Sequence, residues 1–526
     1  MSSAPWWRDA VIYQVYIRSF ADSDGDGVGD MPGIRSRLGY LSELGVDALW
    51  ITPFYPSPMA DGGYDVSDYR DVEPVFGTLA DFDAMIADAH GLGLRVIVDI
   101  VPNHSSDQHV WFQEALASPS GSPARARYVF RNGKGPDGAE PPTNWVSQFG
   151  GPAWTRVPDG EWYLHLFTPE QPDLNWELPE VREEFHSILR FWLDRGVDGF
   201  RIDVAHGLAK DQTHPLRDLE PDDTGDITPR GGDDNPLWDR DDVHDIYRGW
   251  HEVLAAYPGD RMSVAEAWVA SPERRARYVR PDELSQAFNF DFLRAEWGYA
   301  SLRKSVESEL STVALVGAAP TWVLANHDVV REVTRYGDGD IGQRRARAGA
   351  LLLLALPGSA YVYQGEELGL PEVLDLPADV LQDPIYEQTD GARMGRDGCR
   401  VPIPWSGTSE PYGFGPDGSR PWLPQPESWR ELSAHAESEN AASMLVLYRN
   451  ALALRQFVRG DAELTWLEDA GEEVLAFRRG DGFACLVSFG DAPVSLPDGA
   501  EVLLASDPAY IPGAPLTVDT AVWVRL

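Results

Sequence analysis

The sequence predicts an α/β protein whose main domain is a (β/α)8 TIM barrel, with a small domain inserted after the third strand and a C-terminal β-sandwich. Three observations lead to this fold class. Apolar strand-like runs alternate with helical stretches until eight strands are counted. The interval after the third strand is too long for one strand–helix unit, and short alternating strands follow residue 456. The first pattern is typical of parallel barrels, and the last is typical of sandwiches.

Length, charge and cysteine content narrow the possible classes of protein. The 526 residues exceed the size at which a single hydrophobic core stops growing, and the formal net charge is -40. Such a charge repels phosphate groups, so neither nucleic acid nor an anionic membrane surface is expected as a partner. No segment reaches about 20 apolar residues, the length of a membrane span. The isolated cysteines Cys399 and Cys485 fit a reducing, cytoplasmic compartment, and the oligomeric state stays open.

The barrel strands are predicted from short runs rich in Val, Ile and Leu. The third run is continuously apolar, as expected of a parallel strand that is covered on both faces. A helix at 443–456 is predicted to be the last of the barrel. The eight predicted strands are 10–20, 46–53, 94–101, 197–205, 262–268, 286–292, 321–328 and 359–364.

Two excursions interrupt the barrel pattern. About 100 residues separate the ends of the third and fourth strands, whereas one strand–helix unit needs roughly 30 to 40. Residues 105–175 are rich in Gly, Pro and aromatic residues, and we expect them to form a small irregular domain B. Residues 211–242 are acidic and rich in Pro and Gly, which indicates a long loop near the site. The predicted domains are therefore 1–104 and 176–456 (barrel), 105–175 (domain B) and 457–526 (domain C).

A loop rich in aspartate follows the first strand. Carboxylates occur at every second position, and glycines between them let the backbone curl, which suits a hard cation such as Ca²⁺ or Mg²⁺. A complete EF-hand is not expected, because Gly33 stands where a bidentate Glu would be needed. The predicted role is structural, and no cofactor is expected for the chemistry. The candidate ligands are Asp22, Asp24, Asp26, Asp30 and the carbonyl of Val28.

Polar residues gather at the predicted carboxyl ends of four barrel strands. Arg201 and Asp203 are two positions apart, so both side chains lie on one face of their strand. Asp99 lies near the end of the third strand, Glu266 near the end of the fifth, and Asp328 at the end of the seventh. Because the carboxyl ends of barrel strands meet at one face, these groups are predicted to converge on one pocket.

Four motifs in this order resemble those of the α-amylase superfamily, glycoside hydrolase family 13. They read DIVPNH at 99–104, GFRIDVAH at 199–206, VAEAW at 264–268 and ANHD at 325–328. A fifth motif, QPDLN at 171–175, is similar to the version in the α-glucosidase and oligo-1,6-glucosidase branch. The resemblance covers all three predicted domains.

The resemblance implies a retaining double displacement on an α-glucoside. Asp203 would be the nucleophile that forms a covalent glycosyl-enzyme, and Arg201 beside it would keep it ionised. Glu266 would act first as the general acid and then as the general base. Asp328 would be the third carboxylate and would hold sugar hydroxyl groups as the ring distorts.

The same resemblance implies a binding pocket for one terminal glucose. Asp61 would face Arg400 and close the pocket beyond the non-reducing end, so that one glucose is released at a time. Tyr64 would stack on the sugar. His104 and His327 would bind its hydroxyl groups. Phe167, and with it Phe149, resembles aromatic residues on the aglycone side, where core packing is the alternative.

Sequence leaves the linkage preference open. Val204 follows the nucleophile position, and in relatives Val there often accompanies activity on α-1,6 bonds. Residues 205–206 and 383–405 look more like α-glucosidases of the actinobacterial type, which favour short α-1,4 substrates. We expect an exo-acting α-glucosidase on maltose-like oligosaccharides. The alternatives are an oligo-1,6-glucosidase, and a transglucosylase or sucrose isomerase with the same catalytic residues.

Overall fold

The computed structural model describes residues 4–220, 234–460, 463–480 and 482–526. Its centre is a sheet of eight parallel strands, hydrogen-bonded in the order β10-β11-β1-β2-β3-β7-β8-β9, which curls into a nearly closed barrel. Apart from β9 and β10, which stand at the two ends of this order, each barrel strand pairs with the next barrel strand of the chain, as expected for strand–helix repeats. The barrel strands are β1 (Val11–Val15), β2 (Ala48–Ile51), β3 (Arg95–Ile100), β7 (Gly199–Ile202), β8 (Met262–Ala265), β9 (Gln286–Ala287), β10 (Thr321–Val323) and β11 (Ser359–Tyr363).

Most of the longer helices surround the barrel, and the shorter ones include helices of the inserted segments. The longer ones are α1 (Met31–Leu44), α2 (Leu79–Gly91), α5 (Pro179–Asp194), α6 (Val243–Ala255), α9 (Tyr299–Ala314), α11 (Gly339–Ala355) and α14 (Met444–Arg455). The shorter ones are α3 (Val110–Ala117), α4 (Pro123–Ala126), α7 (Pro272–Tyr278), α8 (Phe290–Leu293), α10 (Glu332–Arg335), α12 (Pro384–Gln388) and α13 (Ala434–Ser438). Within the described ranges, none of these helices is long and apolar enough to cross a membrane.

Several strands are shorter than the sequence predicts. The predicted strand at 286–292 ends at Ala287, because the Asn289 side chain accepts the Phe292 N–H at 3.0 Å and caps α8. The predicted strand at 321–328 ends at Val323, and further on the Asn326 side chain accepts the Asp328 N–H at 2.9 Å. Local bonds from asparagine thus replace the ladder that an apolar run suggests.

Residues 105–175 carry α3, α4 and a three-stranded antiparallel sheet in the order β4-β6-β5. These strands are β4 (Phe130–Asn132), β5 (Trp154–Arg156) and β6 (Glu161–Leu164). A bridge between His104 and Asp173 joins the two ends of this segment beside the barrel rim. Residues 221–233 of the predicted loop at 211–242 lie outside the described residues.

A long segment, 364–443, runs between β11 and the last barrel helix. It contains α12, α13 and several 3-10 turns, and it passes over the carboxyl ends of the strands. The Asp22 N–H donates to the Phe414 carbonyl at 2.8 Å, and the Trp422 N–H donates to the Gly27 carbonyl at 2.9 Å. These bonds attach the segment to the aspartate loop that follows β1.

The C-terminal residues form a five-stranded antiparallel sheet in the order β12-β13-β14-β16-β15. One face joins the barrel core through Phe477, Cys485 and Trp523. The other face packs against Val494 and Leu516, which pair with each other and supply a short second layer. The strands are β12 (Leu464–Trp466), β13 (Val474–Arg479), β14 (Phe483–Ser488), β15 (Glu501–Ala505) and β16 (Thr520–Arg525).

Candidate active site

A cavity of about 330 Å³ lies at the carboxyl ends of the barrel strands, beneath domain B and the 364–443 segment. All three predicted catalytic carboxylates line it, as expected of a TIM barrel. The lining residues are Asp61, Tyr64, His104, Gln148, Phe149, Phe167, Asp203, Val204, Glu266, Trp268, Asp328, Ile385, Arg393 and Arg396.

Arg201 joins three carboxylates at the floor of this cavity. Its Nη1 donates to Asp203 Oδ1 at 2.6 Å and to Asp99 Oδ1 at 3.0 Å. Its Nη2 donates to Glu266 Oε2 at 2.7 Å. The guanidinium is buried, so these charge-assisted bonds act where water does not weaken them. One arginine therefore holds Asp203 and Glu266 side by side.

The strand register produces this arrangement. Asp99 of β3 lies opposite Arg201 of β7 in the parallel ladder. Beyond the strand ends the ladder continues, because the Asp203 N–H donates to the Ile100 carbonyl at 2.9 Å and the Glu266 N–H donates to the Ile202 carbonyl at 3.0 Å. Both carboxylates thus stand on backbone that is fixed by the barrel.

Burial dominates the electrostatics of this group. It raises the pKa of the Asp203 carboxyl, the Glu266 carboxylate acts in the same direction, and Arg201 opposes both. Burial likewise raises the pKa of Asp99 to about 7 against the charge of Arg201. Two carboxylates on one guanidinium repel each other when both are ionised. The charge of Asp203 is thus opposed by burial and by the nearby Glu266 carboxylate, and it is favoured by Arg201.

Arg396 lies at the centre of the closed end of the cavity. Its contacts correct the pairing of Asp61 with Arg400 that the sequence predicts. Arg396 Nη2 lies 2.7 Å from Asp61 Oδ1, and its Nη1 lies 3.0 Å from Asp328 Oδ1. Arg400, which the sequence predicts as the partner of Asp61, instead contacts Asp328 Oδ1 at 2.9 Å. It lies behind the cavity lining. Burial disfavours the charge on Asp328, but the surrounding cationic groups hold its pKa well below its usual range.

Tyr64 and the two histidines form the side wall. The Tyr64 hydroxyl lies 2.6 Å from His327 Nε2, and the two rings stack at 5.5 Å between centroids. His327 lies behind Tyr64 and contacts Gln14 through Nδ1 at 2.7 Å. His104 lines the cavity, and its Nε2 lies 3.0 Å from Gln171 Nε2. Burial lowers the pKa of His104 to about 4 and the pKa of His327 well below its usual value, so both are neutral at pH 7.

Aromatic and aliphatic side chains line the open side of the cavity. Phe149 and Phe167 lie 5.6 Å apart in an edge-to-face arrangement, and Phe167 also lies 5.0 Å from the His104 ring. The Arg396 guanidinium lies 5.2 Å from the Phe149 ring. Ile385 and Val204 complete this apolar surface. It suits the apolar face of a second sugar unit.

Three important residues were not singled out from the sequence. Arg396 stands four positions before Arg400, and sequence alone does not show which of two neighbouring arginines reaches Asp61. Asp99 was noted as part of a motif but given no role, although it is the innermost partner of Arg201. Trp268 ends the VAEAW motif, and its ring nitrogen donates to Glu266. That contact depends on a side-chain direction that sequence does not give.

The aspartate loop lies outside this cavity. Asp22, Asp24 and Asp30 each bring a carboxylate oxygen within 4.8 Å of the others, which fits a hard cation. Asp26 points elsewhere, and its carboxylate accepts the Val28 N–H at 2.8 Å. Burial raises the pKa of Asp30, whose carboxylate also accepts the Gly33 N–H at the start of α1.

Comparison with known proteins identifies the family. The sequence model of the α-amylase catalytic domain family matches residues 14–460 of this chain. The chain belongs to the α-amylase family. A probable α-glucosidase of Rhizobium meliloti is 39% identical over 92% of this chain and 90% of its own length. An oligo-1,6-glucosidase of Parageobacillus thermoglucosidasius is 37% identical over 86% and 84% of the two chains.

A solved structure shows the same similarity in three dimensions. The α-glucosyl transfer enzyme XgtA superposes with a TM-score of 0.87 and 38% identity, over 99% of this chain and 100% of the other. This member of the α-amylase family is therefore a glycosidase of the α-glucosidase branch, built on the (β/α)8 barrel that the sequence predicts.

Proposed function

We propose that the protein is a retaining, exo-acting α-glucosidase that releases α-glucose from the non-reducing end of short, maltose-like α-glucosides. The observation that carries this proposal is the shared guanidinium of Arg201, which contacts Asp203 and Glu266 in one cavity. Retention requires two carboxyl groups about 5 Å apart across the glycosidic bond, and one arginine that holds both suits this spacing.

Asp203 is the proposed nucleophile. Its carboxylate attacks the anomeric carbon, the glycosidic C–O bond breaks, and a covalent glycosyl-enzyme forms. Asp203 Oδ1 accepts the bond from Arg201, and its other oxygen, Oδ2, is the one that we assign to the attack. The left-handed backbone of Val204 (φ 44) turns the chain directly after the nucleophile.

Glu266 is the proposed acid and base. It gives a proton to the leaving sugar oxygen in the first half-reaction and takes one from water in the second. It is partly open to the cavity, with a side chain that is 12% exposed, whereas Asp203 is 9% exposed. Both carboxyl groups therefore reach the cavity, as a nucleophile and an acid must.

The closed end supports exo action. Asp61, Arg396 and Asp328 form an ion-paired wall at the closed end. This wall is proposed to leave room for one sugar ring beyond the cleaved bond. Asp328 lines the cavity and is proposed to bind hydroxyl groups of that ring. His104 and Tyr64 flank the same space and complete the subsite.

Two other activities, α-1,6 cleavage and glucosyl transfer, are alternatives to the hydrolysis of maltose-like substrates. Val204 at the cavity wall and the similarity to an oligo-1,6-glucosidase favour α-1,6 cleavage. The similarity to an α-glucosyl transfer enzyme favours transfer to a sugar acceptor, including sucrose isomerisation, because transfer uses the same glycosyl-enzyme.

Initial rates on maltose, isomaltose, sucrose, maltotriose and starch separate these functions. We expect maltose and maltotriose to be cleaved fastest, with glucose as the first product, and starch to be cleaved slowly. An isomaltose preference would favour the α-1,6 alternative. Conversion of sucrose mainly to an isomeric disaccharide would contradict hydrolysis as the main activity.

A structural Ca²⁺ or Mg²⁺ ion at the aspartate loop is part of the proposal. Asp22, Asp24 and Asp30 would hold it, together with the Val28 carbonyl, and it would take no part in the chemistry. We also propose a reducing, cytoplasmic location, which the two buried, unpaired cysteines favour.

A further inference from the structure

Trp268 lies two residues after Glu266, at the carboxyl end of β8. Its indole Nε1 donates to Glu266 Oε1 at 3.1 Å, and its ring lines the cavity. The side chain is thus close enough to act on the carboxyl group that exchanges protons with the substrate.

The other oxygen of Glu266 is fully engaged. Oε2 accepts from Arg201 Nη2 at 2.7 Å and from the Val204 N–H at 3.0 Å. Each carboxylate oxygen offers two lone-pair sites, so these two donors use both sites of Oε2. On Oε1, Trp268 uses one site, and no second donor to this oxygen is found among the described residues.

We propose that Trp268 positions Glu266 for proton transfer, since its indole N–H fills one lone pair of Oε1 and leaves the other as the site that carries the transferred proton. This inference deepens the proposed α-glucosidase function and rests on it. It makes Trp268 a positioning residue, because it acts through Glu266.

The proton balance of both half-reactions fits this assignment. In the first, the O–H bond at Oε1 breaks while the leaving sugar oxygen gains the proton, and Asp203 replaces that oxygen on the anomeric carbon. In the second, water adds to the anomeric carbon, the bond to Asp203 breaks, and the water proton returns to Oε1. The same lone pair serves both directions.

The Trp268 indole and the Val204 N–H, which both donate to Glu266, are held in place by their surroundings. The Trp268 ring stacks on Phe290 with 3.7 Å between centroids and an interplanar angle of 6°. The Arg294 guanidinium also lies 4.1 Å from the Trp268 ring. The Val204 N–H reaches Oε2 through a positive φ that β-branched residues seldom adopt. Both sides of the carboxyl group are therefore held by fixed donors.

Removal of the indole N–H tests the inference. Trp268→Phe keeps an aromatic ring against Phe290, and 3-benzothienylalanine at position 268 keeps the bicyclic shape but replaces N–H with sulfur. Rates are compared on maltose, whose leaving oxygen needs a proton, and on α-glucosyl fluoride, whose weakly basic leaving group does not. Values of kcat/KM report the first half-reaction with both substrates.

We expect kcat/KM to fall at least tenfold more for maltose than for α-glucosyl fluoride in both variants. The alkaline limb of the maltose pH profile should move to higher pH, because a donor that favours the ionised carboxyl group has been removed. Glu266→Gln should show the same substrate difference to a larger degree.

Equal losses on the two substrates, with an unchanged alkaline limb, would show that Trp268 only packs against the site and would overturn the inference. The benzothienylalanine variant decides the question if Trp268→Phe does not fold. Wild-type protein without activity on either substrate would instead contradict the proposed function.

Discussion

Arg201 influences both the positions and the charges of the carboxyl groups in this site. It contacts Asp99, Asp203 and Glu266, so two buried carboxyl groups and one partly open carboxyl group share a single positive charge. Burial raises the pKa of both Asp99 and Asp203, and the charge of Arg201 opposes this effect.

Substitution of either main carboxylate tests the proposed roles. Asp203→Ala removes the nucleophile and Glu266→Gln removes the transferable proton, so kcat on maltose should fall at least about 1,000-fold in each. Thermal unfolding should show that both variants are folded. Residual activity above about a tenth of wild type in either variant would overturn the assignment of that residue.

Arg396 provides a second test at the residue scale. Arg396→Met leaves Asp61 and Asp328 without this partner, and loss of one member of a buried pair costs about 3 to 5 kcal/mol. Part of that cost lowers the stability of the folded protein, and the rest weakens binding of the substrate and of the transition state. We therefore expect kcat/KM for maltose to fall at least about 100-fold. The matched control is Arg430→Met, whose arginine is exposed and pairs with its neighbour Glu431. An unchanged kcat/KM in Arg396→Met would contradict the closed end described above.

Residue identities were predictable from sequence where a motif sits on a regular strand. Asp203 and Glu266 follow β7 and β8 directly, so strand direction alone brings them together. Arg396 lies in an irregular segment far along the chain, and its contact with Asp61 depends on how that segment folds over the barrel. The segment and the residue type are therefore predictable from sequence, but the particular arginine that contacts Asp61 is not.

At the scale of elements, the barrel strands could be located but not delimited. An apolar run such as 286–292 looks like a strand, yet Asn289 converts its second half into α8. This difference has a consequence for the site, because α8 begins at Phe290, the ring that stacks on Trp268. Short polar side chains that bond to the nearby backbone decided the outcome.

The aspartate loop is the element whose function is most easily tested. It connects β1 to α1 and bonds to residues 414 and 422 of the segment that carries Arg396. A chelator should lower the melting temperature by several degrees and reduce turnover at ambient temperature by less than about twofold, because the loop lies outside the catalytic cavity.

The variants Asp24→Asn and Asp26→Asn form a matched pair for this loop. Both aspartates are exposed, but only Asp24 belongs to the carboxylate cluster. Asp24→Asn should therefore abolish the effect of the chelator, and Asp26→Asn should weaken it less. A melting temperature that is the same with and without chelator in wild type would exclude a bound structural ion.

At the scale of the whole molecule, buried carboxyl groups make stability depend on pH. Burial raises the pKa of Glu437, in α13, to about 8, far above the value of about 4.3 in an unfolded chain. Its proton is bound more tightly in the folded protein, so this contribution to stability is lost as pH rises toward and through about 8.

Melting temperatures at pH 7.0 and pH 8.5 measure this effect. Wild type should lose on the order of 1–2 kcal/mol of stability between these values from Glu437. Glu437→Gln removes the titrating group and should reduce the loss. An equal loss in the two proteins would show that Glu437 does not titrate in this range.

The central claim is that the barrel, domain B and the 364–443 segment together form a retaining, exo-acting glucosidase. The most direct measurement is proton NMR of maltotriose hydrolysis before mutarotation of the product. We predict that α-glucose and maltose appear first, in equal amounts. β-Glucose as the first product would contradict retention. Release of α-maltose from the non-reducing end, with glucose left from the reducing end, would contradict the closed pocket.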